Sequence, residues 1–178
     1  EPTGLISAWV HAPTSGTVKS VGPMPTVSGQ TATVVEIEPD GHDILAADVA
    51  HPADWNTLTP VELIERIAKA GIVGMGGGGF PTHVKLSLPP GKTIETLIIN
   101  GAECEPHLNA DHRLMSEHAD RVWQGVQVLR KILNPAKIRV AIEDNKLDAL
   151  KSMKKAMQDA QPPPTPPTPI MNHCARDS

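Results

Sequence analysis

Two short stretches of this chain hold residue types that could do chemistry. In GIVGMGGGGFPTHVKL, Gly71 to Leu86, six glycines fall within nine positions and Lys85 follows shortly after. Fixing a glycine costs roughly 0.5–1 kcal/mol more backbone entropy than fixing alanine, so this density predicts a backbone that must come very close to another group. Bare amides around Gly74, Gly76, Gly77 and Gly78 could approach a phosphate or a flat ring, with Lys85 offsetting anionic charge. The second stretch, NGAECEP, supplies the side-chain amide of Asn100 and the carboxylates of Glu103 and Glu105. Two acids are ill suited to hold a phosphate. They suit ribose hydroxyls or a carboxamide, which donate hydrogen bonds. Together the stretches describe a site that is phosphate-like at one end and dinucleotide-like at the other.

Simpler motifs do not account for them. Gly74, Gly76 and Gly79 satisfy GxGxxG, but that fingerprint needs a strand before it and a helix directly after. Here a helical pattern precedes the glycines and Pro81 follows. PPGKT, Pro89 to Thr93, fails as a phosphate loop because Leu86 stands where its first glycine belongs. Cys104 and Cys174 are too few and too far apart for a disulfide framework or an iron–sulfur site. His83, His107, His112 and His118 read as surface or packing residues, and Asp111 and Arg113 as residues that cap and brace a helix.

The elements that must position these groups are legible in part. TPVELIERIAKAG predicts a helix with Thr59 as N-cap, Glu62 three residues on, Pro60 at the first helical position and Gly71 at the end. Its apolar stripe is Val61, Ile64, Ile67 and Ala68. TIETLIIN predicts a strand ending at Asn100. One long helix is expected from about Asp111 to Leu133, with Met115, Ala119, Val122, Val126, Leu129 and Leu133 on one face. KIRVAIED predicts a second strand, and Asp144 or Asn145 is expected to cap a helix carrying Leu147, Leu150, Met153 and Met157. This βαβα order implies a parallel sheet with right-handed crossovers and a ligand at the carboxyl ends of its strands, where Asn100 to Pro106 lies.

Upstream, SAWVHAP, SGTVKSVGP and TATVVEIEPDG read as short strands broken by turns. WVHAPTSGTVKSV resembles the opening hairpin of a biotinyl/lipoyl-type barrel-sandwich, with Pro13 to Gly16 as the turn between two strands. No lysine stands where a lipoyl group would attach, so the expected role is structural. The expected division is a β-rich module over 1–52, an α/β domain over 53–160, and a proline-rich tail over 161–178 that is disordered or non-native. The fold class is therefore α/β with a β-rich, barrel-sandwich-like N-terminal module.

With 178 residues, 39% of them apolar, and a net charge of -4, the composition is that of an ordinary globular protein. One Phe, three Trp and no Tyr leave little for nucleic-acid bases to stack on. No run is apolar enough over the roughly 18–20 residues that cross a bilayer, and the first residues do not read as a signal peptide. A cytosolic or membrane-peripheral location is the default expectation.

GIVGMGGGGFPTHVKL followed in order by TLIINGAECEP, DHRLM and IEDNK resembles the C subunit of the Rnf electron-transport complex. It is more distantly similar to the FMN- and NADH-binding subunit of respiratory complex I. The resemblance spans roughly residues 58 to 150, and the lipoyl-like module favours the Rnf protein over a cobalamin reductase. It implies a Rossmann-like three-layer FMN-binding domain in which Gly74, Gly76, Gly77 and Gly78 line the flavin and Lys85 meets its phosphate. Asn100 would also contact FMN, while Glu103 and Glu105 would lie where NADH approaches. Where the family pattern has alanine at Gly78 or its neighbour, this chain has glycine, which implies a looser loop. The implied activity is NADH-linked flavin oxidoreduction within an ion-translocating complex on the cytoplasmic face of the inner membrane. Its implied partners are other subunits and a ferredoxin-like carrier, with 4Fe-4S clusters outside this chain. On this reading the chain is a fragment. A non-catalytic docking module is the alternative of a different class.

Overall fold

The computed structural model describes residues 4, 6–50, 53–75, 78–105, 107–160 and 170–172. Gly76, Gly77 and Pro106 therefore lie outside the described residues, as do most of the proline-rich tail and Cys174.

The N-terminal module is an antiparallel ribbon of β1 (Gly16–Pro25) and β2 (Thr31–Pro39). Its turn runs through Thr26 to Gln30, where Thr26 N–H donates to the Gln30 carbonyl at 2.8 Å. The expected turn at Pro13 to Gly16 does not join two paired strands. Among the described residues no strand pairs with SAWVHAP, which is engaged elsewhere: His11 Nε2 lies 2.9 Å from the carbonyl of Lys69. That contact leans the segment on the end of the helix that precedes the glycine loop. One short helix, α1 (Ala47–Ala50), and a 3-10 turn at Trp55–Thr57 lead into the α/β part.

The helix α2 (Pro60–Lys69) forms as its sequence dictates. Thr59 Oγ1 accepts from Glu62 N–H, while Glu62 Oε2 accepts from Thr59 N–H at 2.7 Å, a reciprocal cap with Pro60 at the first helical position. Gly71 ends it at φ +67°, a left-handed conformation that lets its N–H reach the Ala68 carbonyl and that of Ile72 reach Ile67. The buried face differs from the expected one. Leu63 is the buried residue, Ile64, Ile67 and Ala68 are half-buried, and Val61 is exposed.

A five-residue helix, α3 (Thr82–Leu86), follows Pro81 directly. Proline fits because its missing N–H is not needed at a helix start. The strand that a dinucleotide fingerprint needs before the glycines is still absent, since α2 occupies that position.

Next come β3 (Thr96–Asn100), α4 (Ala110–Glu117), α5 (Ala119–Leu133), β4 (Lys137–Glu143) and α6 (Leu147–Asp159). β3 and β4 pair in parallel, from Thr96 with Lys137 to Asn100 with Ala141. The single long helix expected over this stretch is two helices, broken at His118, whose φ of -133° and ψ of 38° are not helical. Met115, Ala119, Trp123 and Val126 nevertheless form one buried stripe across the break. They pack with Ile138, Val140, Ile142, Ala149 and Met153 into the core, flanked by Leu97 and Ile99. At α6 the N-cap is Lys146, with no side-chain cap, rather than Asp144 or Asn145, and Leu147 is exposed while Ala149 is fully buried.

Within the stretch expected to be a disordered or non-native proline-rich tail, Ile170–Asn172 form β5, parallel to Ala141–Glu143 of β4, giving the order β3-β4-β5. These three residues lie beyond the last proline and keep the N–H groups that a ladder requires.

Candidate functional site

The glycine loop is held closed at its base. Val73 and Pro81 form an antiparallel bridge, Gly74 N–H donates to the Phe80 carbonyl at 2.9 Å, and Thr82 N–H donates to Ile72 at 3.0 Å. Helix α3 then turns Lys85 back over the loop. Its ammonium stands 5.8 Å from the centroid of the Phe80 ring, and a methyl group on Gly74 would come within 3.3 Å of it. Among the described residues Lys85 has no carboxylate within salt-bridge distance. Gly78 is exposed with open space where a side chain would project.

The second cluster lies at the carboxyl end of β3. Asn100 Oδ1 accepts from Ala102 N–H at 3.1 Å, which curls the turn, and Gly101 N–H extends the ladder to the Ala141 carbonyl at 2.9 Å. Sequence reasoning passed over Gly101. A methyl there would fall 2.6 Å from Met115 Sδ and 3.1 Å from the Ala141 carbonyl oxygen, so a side chain fits only if Met115 and the neighbouring strand give way. Glu103 Oε1 accepts from the Asp111 backbone N–H at 2.7 Å, in the first turn of α4. Its other oxygen, Oε2, is buried with no hydrogen-bond partner. Glu105 is exposed, and so is the free thiol of Cys104.

The structure thus joins Gly74, Phe80 and Lys85 in one cluster and Asn100, Glu103 and the start of α4 in another. No hydrogen bond or ion pair links the two clusters among the described residues. His112, read from sequence as a packing residue, has a specific partner: its Nε2 lies 2.8 and 2.9 Å from the two carboxylate oxygens of Asp148 on α6. The bond from His112, and after it the Ala149 backbone amide, holds the Asp148 carboxyl below its ordinary range. Arg113 pairs with Glu117 one turn along α4, the bracing role expected of it.

Each cluster by itself presents binding chemistry. An uncompensated ammonium beside bare backbone suits an anionic group, and a carboxylate oxygen buried without a partner suits a hydrogen-bond donor. Such an oxygen is costly unless something donates to it.

Residues 67–165 match the Nuo51 FMN-binding domain, and residues 1–42 match the RnfC Barrel sandwich hybrid domain. The chain is 46% identical over 154 residues to the C subunit of the proton-translocating ferredoxin:NAD(+) oxidoreductase complex of Clostridium ljungdahlii, an alignment covering 86% of this chain and 34% of that protein. It is 49% identical over 151 residues to the C subunit of the ion-translocating oxidoreductase complex of Serratia proteamaculans, covering 84% of this chain and 21% of that one. To the C subunit of the Na(+)-translocating ferredoxin:NAD(+) oxidoreductase complex of Acetobacterium woodii it is 40% identical over 157 residues, covering 88% and 35%. The chain therefore spans between a fifth and about a third of the length of these relatives. Among the described residues no helix is long and apolar enough to cross a membrane.

Proposed function

The chain belongs to the Rnf-type family of C subunits, with a Nuo51-type FMN-binding domain following a barrel-sandwich hybrid module, and from that premise we propose that it binds FMN and NADH within an electron-transport protein. Lys85 and the amides at Gly74, Gly76, Gly77 and Gly78 hold the flavin, with Lys85 at its phosphate and Asn100 at its edge. Glu103 and Glu105 receive the nicotinamide nucleotide. Bound there, FMN supplies the conversion between two-electron nicotinamide chemistry and one-electron iron–sulfur chemistry. The clusters that take part lie elsewhere in the full-length protein, and a ferredoxin-like carrier and the other subunits are its partners at the cytoplasmic face of the membrane.

The observation that carries this reading is the Lys85 ammonium seated against the bare Gly74 backbone with no acid within ion-pair distance among the described residues. The α/β part is read as one portion of a Rossmann-like three-layer domain. A parallel sheet is ordinarily covered on both faces, and Ile98, on the face opposite Leu97 and Ile99, is 55% exposed. The barrel-sandwich match over residues 1–42 supports the Rnf reading over a cobalamin-reductase-like flavoprotein.

The test is flavin content of the full-length protein, measured by visible absorbance, in wild type, Lys85→Ala and Gly74→Ala. A charge-assisted hydrogen bond contributes about 1.5–3 kcal/mol, so Lys85→Ala should weaken FMN binding on the order of 10- to 100-fold. A methyl at Gly74 would be crowded by the end of the Lys85 side chain at 3.3 Å, and it meets the Phe80 backbone at ordinary contact distance, 3.8 and 3.9 Å. Gly74→Ala should keep its fold while losing flavin. A wild-type protein that binds no flavin would leave the docking-module reading in place, and full occupancy in both variants would remove the cradle.

A further inference from the structure

A chain of short contacts runs from α6 to the turn after β3. Asp148, in the first turn of α6, receives His112 Nε2 at 2.8 and 2.9 Å and Ser116 Oγ at 3.4 Å. An ionised carboxylate only accepts, so Nε2 is the donor and carries a hydrogen. The residue next to His112 is Asp111, whose backbone N–H donates to Glu103 Oε1 at 2.7 Å. The first turn of α4 is therefore tied twice: by a side chain to the neighbouring helix and by an amide to the loop.

A carboxylate with one oxygen fixed by a backbone amide has its second oxygen aimed by the position of that amide. Glu103 Oε2 is buried with no hydrogen-bond partner, so no second hydrogen bond fixes its direction. If the start of α4 moves, Oε2 moves with it.

We propose that His112 and Asp148 are a positioning pair for Glu103: their contact fixes the first turn of α4 and so aims Glu103 Oε2 at a hydrogen-bond donor of the nicotinamide nucleotide. The proposal rests on the reading of Glu103 as part of the nucleotide site. Neither His112 nor Asp148 touches that nucleotide, and their influence passes only through the Asp111 amide.

The experiment uses the full-length, flavin-loaded protein with four variants: His112→Ala, His112→Gln, Asp148→Asn and Glu103→Gln. Amide hydrogen exchange at Asp111, NAD+ affinity by calorimetry, flavin occupancy and melting temperature are measured for each. Members of one hydrogen-bonded network commonly couple strongly enough to shift an equilibrium several-fold, so His112→Ala and Asp148→Asn should speed exchange at Asp111 and weaken NAD+ binding about 3- to 10-fold. Flavin occupancy should not change. His112→Gln, whose side-chain amide can still donate to Asp148, should recover most of the affinity, which loss of general stability would not explain. Unchanged exchange at Asp111 in His112→Ala overturns the coupling. Faster exchange with unchanged NAD+ affinity, while Glu103→Gln weakens binding, also overturns the proposal and leaves the pair a structural brace. If Glu103→Gln itself leaves NAD+ affinity intact, the site reading fails and the positioning role goes with it, whatever the exchange shows.

Discussion

Gly74 and Gly101 both stand where the backbone must stay bare, yet for different reasons. At Gly74 the neighbour is the free end of a lysine, which can yield. At Gly101 the neighbours are Met115, only 3% exposed in the core, and the carbonyl of Ala141 in the central strand. Neither can move without disturbing packing. Gly101→Ala should therefore destabilise the domain by about 1–3 kcal/mol, as overpacked sites do, and the measurement is the urea midpoint. Gly74→Ala should leave that midpoint unchanged. A Gly101→Ala protein as stable as wild type would show that Met115 can repack. The residues of the candidate site were legible to the degree that their chemistry is local. Lys85 follows its glycines closely, and the Glu103 and Glu105 carboxylates stand beside a strand end. Gly101 was not legible, because the need for it comes from a side chain on α4, and the partner of His112 was not, because Asp148 lies 36 residues away.

The same division between local and distant causes holds for elements. Helix α2 was readable from end to end because cap, first-turn proline, capping acid and terminal glycine all act within the helix. The break at His118 was hidden because Met115, Ala119, Trp123 and Val126 keep helical spacing across it and no proline or glycine marks it. SAWVHAP has the composition of a strand, but its partner is the end of a helix, and no strand pattern announces that. Gly71 is where these two elements meet. Its φ of +67° alone disfavours any other residue, and a methyl there would fall 2.2 Å from the carbonyl oxygen of Trp9. The left-handed conformation costs a side-chain-bearing residue about 1–2 kcal/mol, and relief of the clash requires residues 9–11 to move away. Gly71→Ala should thus lower the melting temperature and, at the same time, expose the Trp9 to His11 segment to limited proteolysis. Loss of stability without new cleavage there would show that the helix end, rather than the docked segment, absorbs the strain.

Across the whole molecule, charge is arranged so that three carboxylates hold three different joints. Asp40, held low by Ser15 and then by the His42 amide, closes the end of the β ribbon. Glu62, held low by the Thr59 backbone N–H and then its hydroxyl, starts α2. Asp148, held low chiefly by His112, ties α6 to α4. Each group has a folded-state pKa below its ordinary value, so each contributes stability that is complete above that ordinary value and is lost as pH falls through the folded one. The stability curve should therefore be insensitive to these groups at neutral pH and slope downward on the acid side of the ordinary carboxylate range. Because all three are exposed, salt should flatten that slope only for the part that is coulombic; the hydrogen-bonded part persists. Asp148→Asn should remove one component of the acid slope and leave the others, since Ser15 with Asp40 and Thr59 with Glu62 share no partner with it. Chemical denaturation of wild type and Asp148→Asn across the acid range, at low and high salt, measures this. A variant whose acid slope matches that of wild type would show that protonating Asp148 costs the fold nothing, and that packing in the core, rather than this carboxylate, ties the two helices together.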